Sequence, residues 1–145
     1  MKTNKFFLVA FAALVMQATV SFADDMIIPA EQLPTAAQTF IKKTFPKSAI
    51  TYVEKEGYIL PTYEVHLSNG TKVEFDRKGN WKKVDAHQQS VPAQLIPAHI
   101  ATHIKTNYPG TQITKIDREV YGYEIELSND LGLNCKAGTL LAMDD

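Results

Sequence analysis

The sequence predicts an α+β protein, a tandem repeat of a helix followed by a four-stranded antiparallel sheet. Two internal similarities and one change of period lead there. Ile28-Pro29-Ala30-Glu31-Gln32-Leu33-Pro34 returns as Val91-Pro92-Ala93-Gln94-Leu95-Ile96-Pro97. At the same offset, Ile28–Glu56 aligns on Val91–Glu119 without a gap, and Tyr63-Glu64-Val65-His66-Leu67-Ser68-Asn69 meets Tyr123-Glu124-Ile125-Glu126-Leu127-Ser128-Asn129 after a shorter loop. Within each copy, apolar spacing changes from three and four residues to two, the signature of a helix giving way to strands. Two copies at this spacing are a duplicated supersecondary unit and not a solenoid.

The chain opens with Lys2 and Lys5, an apolar run from Phe6 to Met16, and small residues in Ser21-Phe22-Ala23. This is the pattern of a secretory signal cleaved before Asp24. The rival, an uncleaved anchor, needs about 20 apolar residues to span a bilayer, and the run is shorter. No cysteine follows the run to carry a lipid. The expected organisation is therefore a signal peptide at 1–23, a first repeat at 24–85 and a second at 86–145, the two repeats sharing one compact domain.

Each unit begins with a helix. Pro34 and Pro97 suit a first helical turn, where a missing N–H costs nothing. Leu33, Ala37, Phe40, Ile41 and Thr44 then fall on one stripe, with Lys42 and Lys43 away from it. Phe45-Pro46 and Tyr108-Pro109 end the helices, because the residue before proline avoids helical angles.

Strands are expected at Ile50–Glu56, Thr62–Leu67, Thr71–Asp76 and Trp81–Asp85, with counterparts between Ile113 and Met143. Tyr63, Val65 and Leu67 share one face, and Thr62, Glu64 and His66 the other. The link at Ser68-Asn69-Gly70 selects its own register. A two-residue turn would set Leu67 beside Lys72 and Val65 beside Glu74, whereas a three-residue loop with left-handed Gly70 pairs Val65 with Val73 and Tyr63 with Phe75. The same register in the second copy pairs Ile125 with Leu133 and Tyr123 with Cys135, and asks Asp130 to be left-handed. Whether the two units make one continuous sheet or two packed ones is left open by the sequence.

Composition removes several function classes. Loss of the signal takes 23 of 145 residues and two lysines, leaving 13 basic against 16 acidic groups. A weakly acidic chain without a basic cluster does not bind nucleic acid by its charge. Cys135 is the only cysteine. It excludes an internal disulfide, and its place opposite Tyr123, where the first copy has Phe75, favours burial over intermolecular pairing.

The residues Leu33-Pro34, Phe45-Pro46, Tyr63-Glu64-Val65, Leu67-Ser68-Asn69-Gly70 and Val73-Glu74-Phe75-Asp76 running into Gly79-Asn80-Trp81 carry a family resemblance. The chain resembles the PepSY-like, β-lactamase-inhibitor-like proteins, which are secreted or periplasmic and occur mainly in Bacteroides-type bacteria. The resemblance spans nearly all of the mature chain. It implies a fold similar in shape to β-lactamase inhibitor protein and a role in binding or inhibiting another secreted protein. The second copy departs from the pattern at Asp130–Lys136.

No catalytic constellation stands out, and neither a cofactor nor a metal is called for. Glu64 with His66, echoed by Glu124 and Glu126, lies opposite the apolar face among Lys72, Glu74 and Lys82, which reads as a solvated face with cross-strand charge pairing. Asp76-Arg77-Lys78-Gly79-Asn80 has the start of a calcium loop but lacks the further oxygen ligands and the terminal Glu. His99 and His103 stand four apart on the second helix, a spacing two metal ligands can use, without a visible third.

A partner surface is the leading expectation, a protein or peptide in the periplasm or outside the cell. Its candidates are Tyr58 in the loop Gly57–Thr62, Trp81, Leu141 and Met143. Trp81 either sits in the core opposite Phe75 or is an exposed aromatic anchor. If Leu140 takes the place of Trp81, then Leu141 and Met143 lie on the outer face with Lys82 and Val84, forming an apolar patch; a slipped register buries them. The alternative function is small-molecule or metal binding through His99 and His103.

Overall fold

The computed structural model describes residues 25–136 and 139–142, the last four as backbone. The expected signal peptide, 1–23, and Met143 lie outside the described residues. Eleven elements of regular structure follow one another: β1 Met26–Ile28, α1 Thr35–Thr44, β2 Ile50–Glu56, β3 Thr62–Leu67, β4 Lys72–Phe75, β5 Trp81–Asp85, α2 Ala98–Asn107, β6 Ile113–Glu119, β7 Gly122–Leu127, β8 Gly132–Lys136 and β9 Thr139–Ala142. A single turn of 3₁₀ helix precedes each α-helix, at Ala30–Gln32 and Ala93–Leu95.

All nine strands form one antiparallel sheet in chain order. The question left open by the sequence is answered by β5, which pairs directly with β6 through Lys83–Asp117, Val84–Ile116 and Asp85–Lys115 and so joins the strands of both units in one sheet. An edge strand, β1, was not anticipated. Three residues are too few to show an alternation, and Met26–Ile28 is strand only because β2 offers it a paired edge.

Two rows of side chains run straight across the sheet. The first is Ile28, Val53, Val65, Val73, Val84, Ile116, Ile125 and Leu133, each paired with the next. All eight are buried and join Ala37, Ile41, Ile100 and Ile104 of the helices in one core. The second row, one residue along and so on the opposite face, is Ile27, Glu54, Glu64, Glu74, Lys83, Asp117, Glu124 and Asn134. Period-two alternation in every strand thus makes one side of the sheet oil and the other charge.

The helices start one residue later than the sequence suggests. Pro34 and Pro97 are the N-cap residues, and the Pro34 carbonyl accepts the N–H groups of Ala37 and Gln38 at 2.9 and 3.1 Å. At the other end, Phe45 and Tyr108 leave helical angles and donate their N–H groups back to Ile41 and Ile104.

The hairpin registers follow the pairing of apolar residues. Val65 faces Val73 and Tyr63 faces Phe75, with Gly70 left-handed at φ 87°. Ile125 faces Leu133 and Tyr123 faces Cys135, with Asp130 left-handed at φ 66°. Cys135 is buried, and the apolar surroundings push its thiol up to about 11.

One strand reads differently from the expectation. The β4–β5 pairing has a bulge, so that Phe75 faces Trp81 while Glu74 faces Lys83. The extra residue is Lys82, and it lets Trp81 and Val84 turn to the same side. Val84 is therefore fully buried, not on the outer face with Lys82.

Candidate functional site

The hairpins β2–β3, β4–β5 and β6–β7 all turn at the same end of the antiparallel sheet. Their tips differ in character. Tyr58, Ile59 and Leu60 in the first and Val120 and Tyr121 in the third are strongly exposed large apolar side chains, at 74, 91, 64, 86 and 79 %, and apart from Ile27 on the β1 edge they are the most exposed of that kind among the described residues. The middle turn, Asp76–Asn80, is held down on the start of α1. A Cβ on Gly79 would lie 2.8 Å from the Pro34 Cβ and 2.9 Å from the Ala37 nitrogen, so only glycine allows that approach.

With the middle hairpin pinned and its neighbours projecting, a groove of about 540 Å³ opens between Leu60, Arg118 and Val120, with Trp81 and Lys82 beneath. Trp81 is half-buried. One face stacks on Phe40, centroids 6.1 Å apart, and the Arg118 guanidinium lies 4.8 Å from its ring centroid. Arg118 also donates from Nη1 to the Trp81 carbonyl at 3.3 Å. Trp81 thus packs inward against the core and lines the groove with the rest of its ring.

The Asp76 turn uses its own carboxylate. Oδ1 accepts from the N–H groups of Lys78 and Asn80 at 2.8 and 3.0 Å, and Oδ2 from the Asn80 amide at 3.0 Å. Slight burial works to raise the Asp76 pKa, but the hydrogen bonds from Asn80, Lys78 and Gly79 outweigh it and hold the carboxyl below its ordinary value. This is an Asx-type turn, built by the side chain that begins it.

A second depression of about 560 Å³ lies along α2, among Val91, Ile96, Ala101, Ile104, Tyr108 and Ile113. The residue corresponding to Ala101 in α1 is Gln38, whose amide donates to the carbonyls of Leu33 and Glu31 at 2.9 and 3.2 Å. Alanine can make neither bond, which leaves this flank of α2 open. His99 is exposed and His103 half-buried on the same helix, with His103 Nδ1 3.2 Å from the Asn107 amide. No third donor joins the two histidines in a metal-sized cluster among the described residues.

On the polar face, the reading of Glu64 and His66 as solvated is corrected. Their side chains are only 19 and 13 % exposed. Tyr52 lies flat on the His66 ring, centroids 3.9 Å apart and 17° from parallel. His66 Nε2 is 2.6 Å from Glu64 Oε1 and 3.4 Å from Glu54 Oε2. The short contact lies off the direction in which the ring N–H points, so Nε2 is buried without a well-aligned hydrogen bond. Glu54, which sequence reasoning passed over, faces Glu64, which faces Glu74. Burial and the carboxylates of Asp25, Glu64, Glu74 and Glu54 together raise the pKa of nearby Glu56.

Leu141 pairs with Asn134 through its backbone, as Leu140 does with Cys135. The side chain of Leu141, like all of Met143, lies outside the described residues.

Comparison with known proteins places this architecture. Three crystal structures of periplasmic Bacteroides proteins are similar to it. One, from Bacteroides thetaiotaomicron and described as "a putative calcium-regulated periplasmic protein", is 41 % identical, covers 84 % of this chain and 98 % of its own, and has a TM-score of 0.78. A Bacteroides vulgatus periplasmic protein of unknown function is 34 % identical over 83 and 99 % of the two chains, TM-score 0.78. Another from that species, of the DUF2874 family, is 36 % identical over 83 and 95 %, TM-score 0.74. No match is found among curated proteins. No helix among the described residues is long and apolar enough to cross a membrane; the protein is periplasmic or secreted, and its structural relatives are described as periplasmic. The family model described as "Putative beta-lactamase-inhibitor-like, PepSY-like" matches residues 22–60 and 61–141, and the chain belongs to that PepSY-like family.

Proposed function

We propose that the protein is a non-enzymatic binding module of the periplasm, inhibitor-like in its manner of contact, that holds a protein or peptide with the apolar hairpin tips at one end of its sheet. The observation that carries this reading is the concentration of Tyr58, Ile59, Leu60, Val120 and Tyr121 on either side of the Trp81–Arg118 groove. Five large apolar side chains in water are a standing cost that burial against a partner removes, at about 25 cal/mol for each Å² covered. Tryptophan and arginine are also among the residues enriched at the centre of binding surfaces.

The architecture suits that role. We infer a duplicated unit, each copy a helix with four strands, preceded by a signal peptide cleaved before Asp24. Duplication places equivalent β-hairpins side by side, and the pinned turn between them makes the gap. An enzyme would need groups tuned for proton transfer or attack at the groove. Two of its charged residues instead serve the scaffold: Asp76 holds its turn and Arg118 packs on Trp81.

The test is affinity capture from periplasmic extract with the mature chain and with a Tyr58→Ser, Leu60→Ser, Val120→Ser variant. A retained protein should be lost from the variant, and the purified pair should bind at least about tenfold more weakly once the tips are changed, a loss of about 1.4 kcal/mol. Equal binding by both forms rejects the tips as the contact surface. The three positions are exposed, so the variant should keep the unfolding temperature of the parent.

A further inference from the structure

We propose that Glu54, Glu64 and His66 form a divalent transition-metal site on the polar face of the sheet, with zinc the best-matched ion and one coordination position left for water or a partner's side chain. This site is separate from the hairpin groove and does not rest on its assignment.

The geometry comes first. One donor atom from each of the three residues lies within 4.8 Å of the others. Zinc bonds of about 2.0–2.2 Å in a tetrahedron set neighbouring donors about 3.3 Å apart. His66 Nε2 and Glu54 Oε2 already stand 3.4 Å apart. The 2.6 Å contact between Nε2 and Glu64 Oε1 must open by less than 1 Å, which a small side-chain rotation provides. The three donors come from two adjacent strands, Glu54 directly opposite Glu64 and His66 two residues further on, so the backbone ladder holds them on one face.

The second observation is the state of His66. Its Nε2 is shielded from solvent, close to the carboxylates of Glu64 and Glu54 and without a hydrogen bond of good angle. A buried polar atom in that condition is destabilising unless something else satisfies it. Tyr52 stacked on the ring fixes its plane, as a ligand-bearing imidazole requires.

The corresponding place in the second half of the sheet shows what the site is not. There Tyr52 and His66 are replaced by Lys115 and Glu126, which pair at 3.7 Å. A permanent ammonium balances the carboxylates of that half. In the first half Glu54, Glu64 and Glu74 stand in a row, and the lysines that reach them, Lys72 to Glu64 and Lys83 to Glu74, are each 3.5 Å away. Among the described residues, the Glu54 end of the row is left with His66 alone. Like charges facing one another across strands are destabilising, and a divalent ion at that end would remove the repulsion.

The donor set selects the metal. One imidazole and two carboxylates suit zinc and its neighbours in the transition series. Calcium takes six to eight oxygens and magnesium a nearly complete octahedron of them, neither of which this set supplies.

Zinc titrated into the full mature chain, followed by competition with a fluorescent chelator, tests the site. One zinc per chain is expected. His66→Ala and Glu64→Gln should each weaken binding by at least about tenfold, and His103→Ala should leave it unchanged. Excess calcium or magnesium should not displace the zinc. Absence of saturable zinc binding overturns the proposal, as does binding that survives both His66→Ala and Glu64→Gln, or displacement by calcium. Far-UV circular dichroism controls for folding. If His66→Ala unfolds the chain, the partly exposed Glu54→Gln takes its place and must show the same loss.

Discussion

His66 and Cys135 show how one side chain's surroundings decide what it can do. Both sit on strands whose alternation is plain from the sequence, and their faces follow from it. The alternation assigns Cys135 to the core, and its chemistry follows from burial alone: with the thiol pushed up to about 11, the thiolate that attacks reagents is nearly absent at neutral pH. Cys135 should not react with an aromatic disulfide reagent in the native protein and should react fully once it is unfolded, as absorbance would show. The linkage has a definite sign. The native thiol ionises later than the unfolded one, so this contribution to stability is whole below about pH 9 and is lost as pH rises toward 11. For His66 the alternation gives the face and nothing more. The ring is shielded because Tyr52 lies on it, and that contact depends on the β2–β3 register, which a five-residue loop conceals from sequence reasoning.

Turns and hairpins are where element-level chemistry can be tested by contrast. Gly70 and Gly79 are both left-handed, at φ 87 and 85°, but the space around them differs. A Cβ at Gly70 meets nothing within 4 Å, whereas one at Gly79 collides with Pro34 and Ala37. Gly70→Ala should therefore cost only the backbone strain, about 1–2 kcal/mol. Gly79→Ala should cost clearly more, because the β4–β5 turn must also lift from α1. Urea unfolding of the two variants measures the difference, and equal midpoints would show that the turn is not pinned. The Asp76 turn adds a pH dependence. Its carboxyl is held below its ordinary value in the fold, so its contribution to stability is present above the unfolded pKa and is lost as pH falls through the folded one. Asp76→Asn should flatten the acid limb of the stability curve, measured by thermal unfolding between neutral pH and about pH 3. The three-residue Ser68-Asn69-Gly70 loop was legible because only one register kept apolar residues together; the β4–β5 bulge was not, because one extra lysine leaves no mark on the local pattern.

Across the whole molecule, stability and cooperativity rest on the β5–β6 seam. Val84 and Ile116 face one another there, fully buried, in the middle of the row that runs from Ile28 to Leu133. Ile116→Ala should destabilise the protein by about 2–5 kcal/mol, and tryptophan fluorescence and circular dichroism should report the same lowered unfolding midpoint. Trp81 lies in the first half of the chain, so transitions that separate would mean the halves unfold independently. The sequence by itself determined the two helices, the faces of β3, β4, β7 and β8, the registers of the β3–β4 and β7–β8 hairpins and the periplasmic family, because these depend on residues close together in the chain: proline at a helix end, apolar residues two apart, glycine at a left-handed turn. Only the tertiary structure decided that the strands form a single sheet, that Gly79 pins one hairpin and opens a groove between its neighbours, and that Glu54 meets Glu64 and His66. Those outcomes depend on which edges meet across long stretches of chain, and pairing of that kind is settled by the total burial and charge balance of the whole sheet and not by any local pattern.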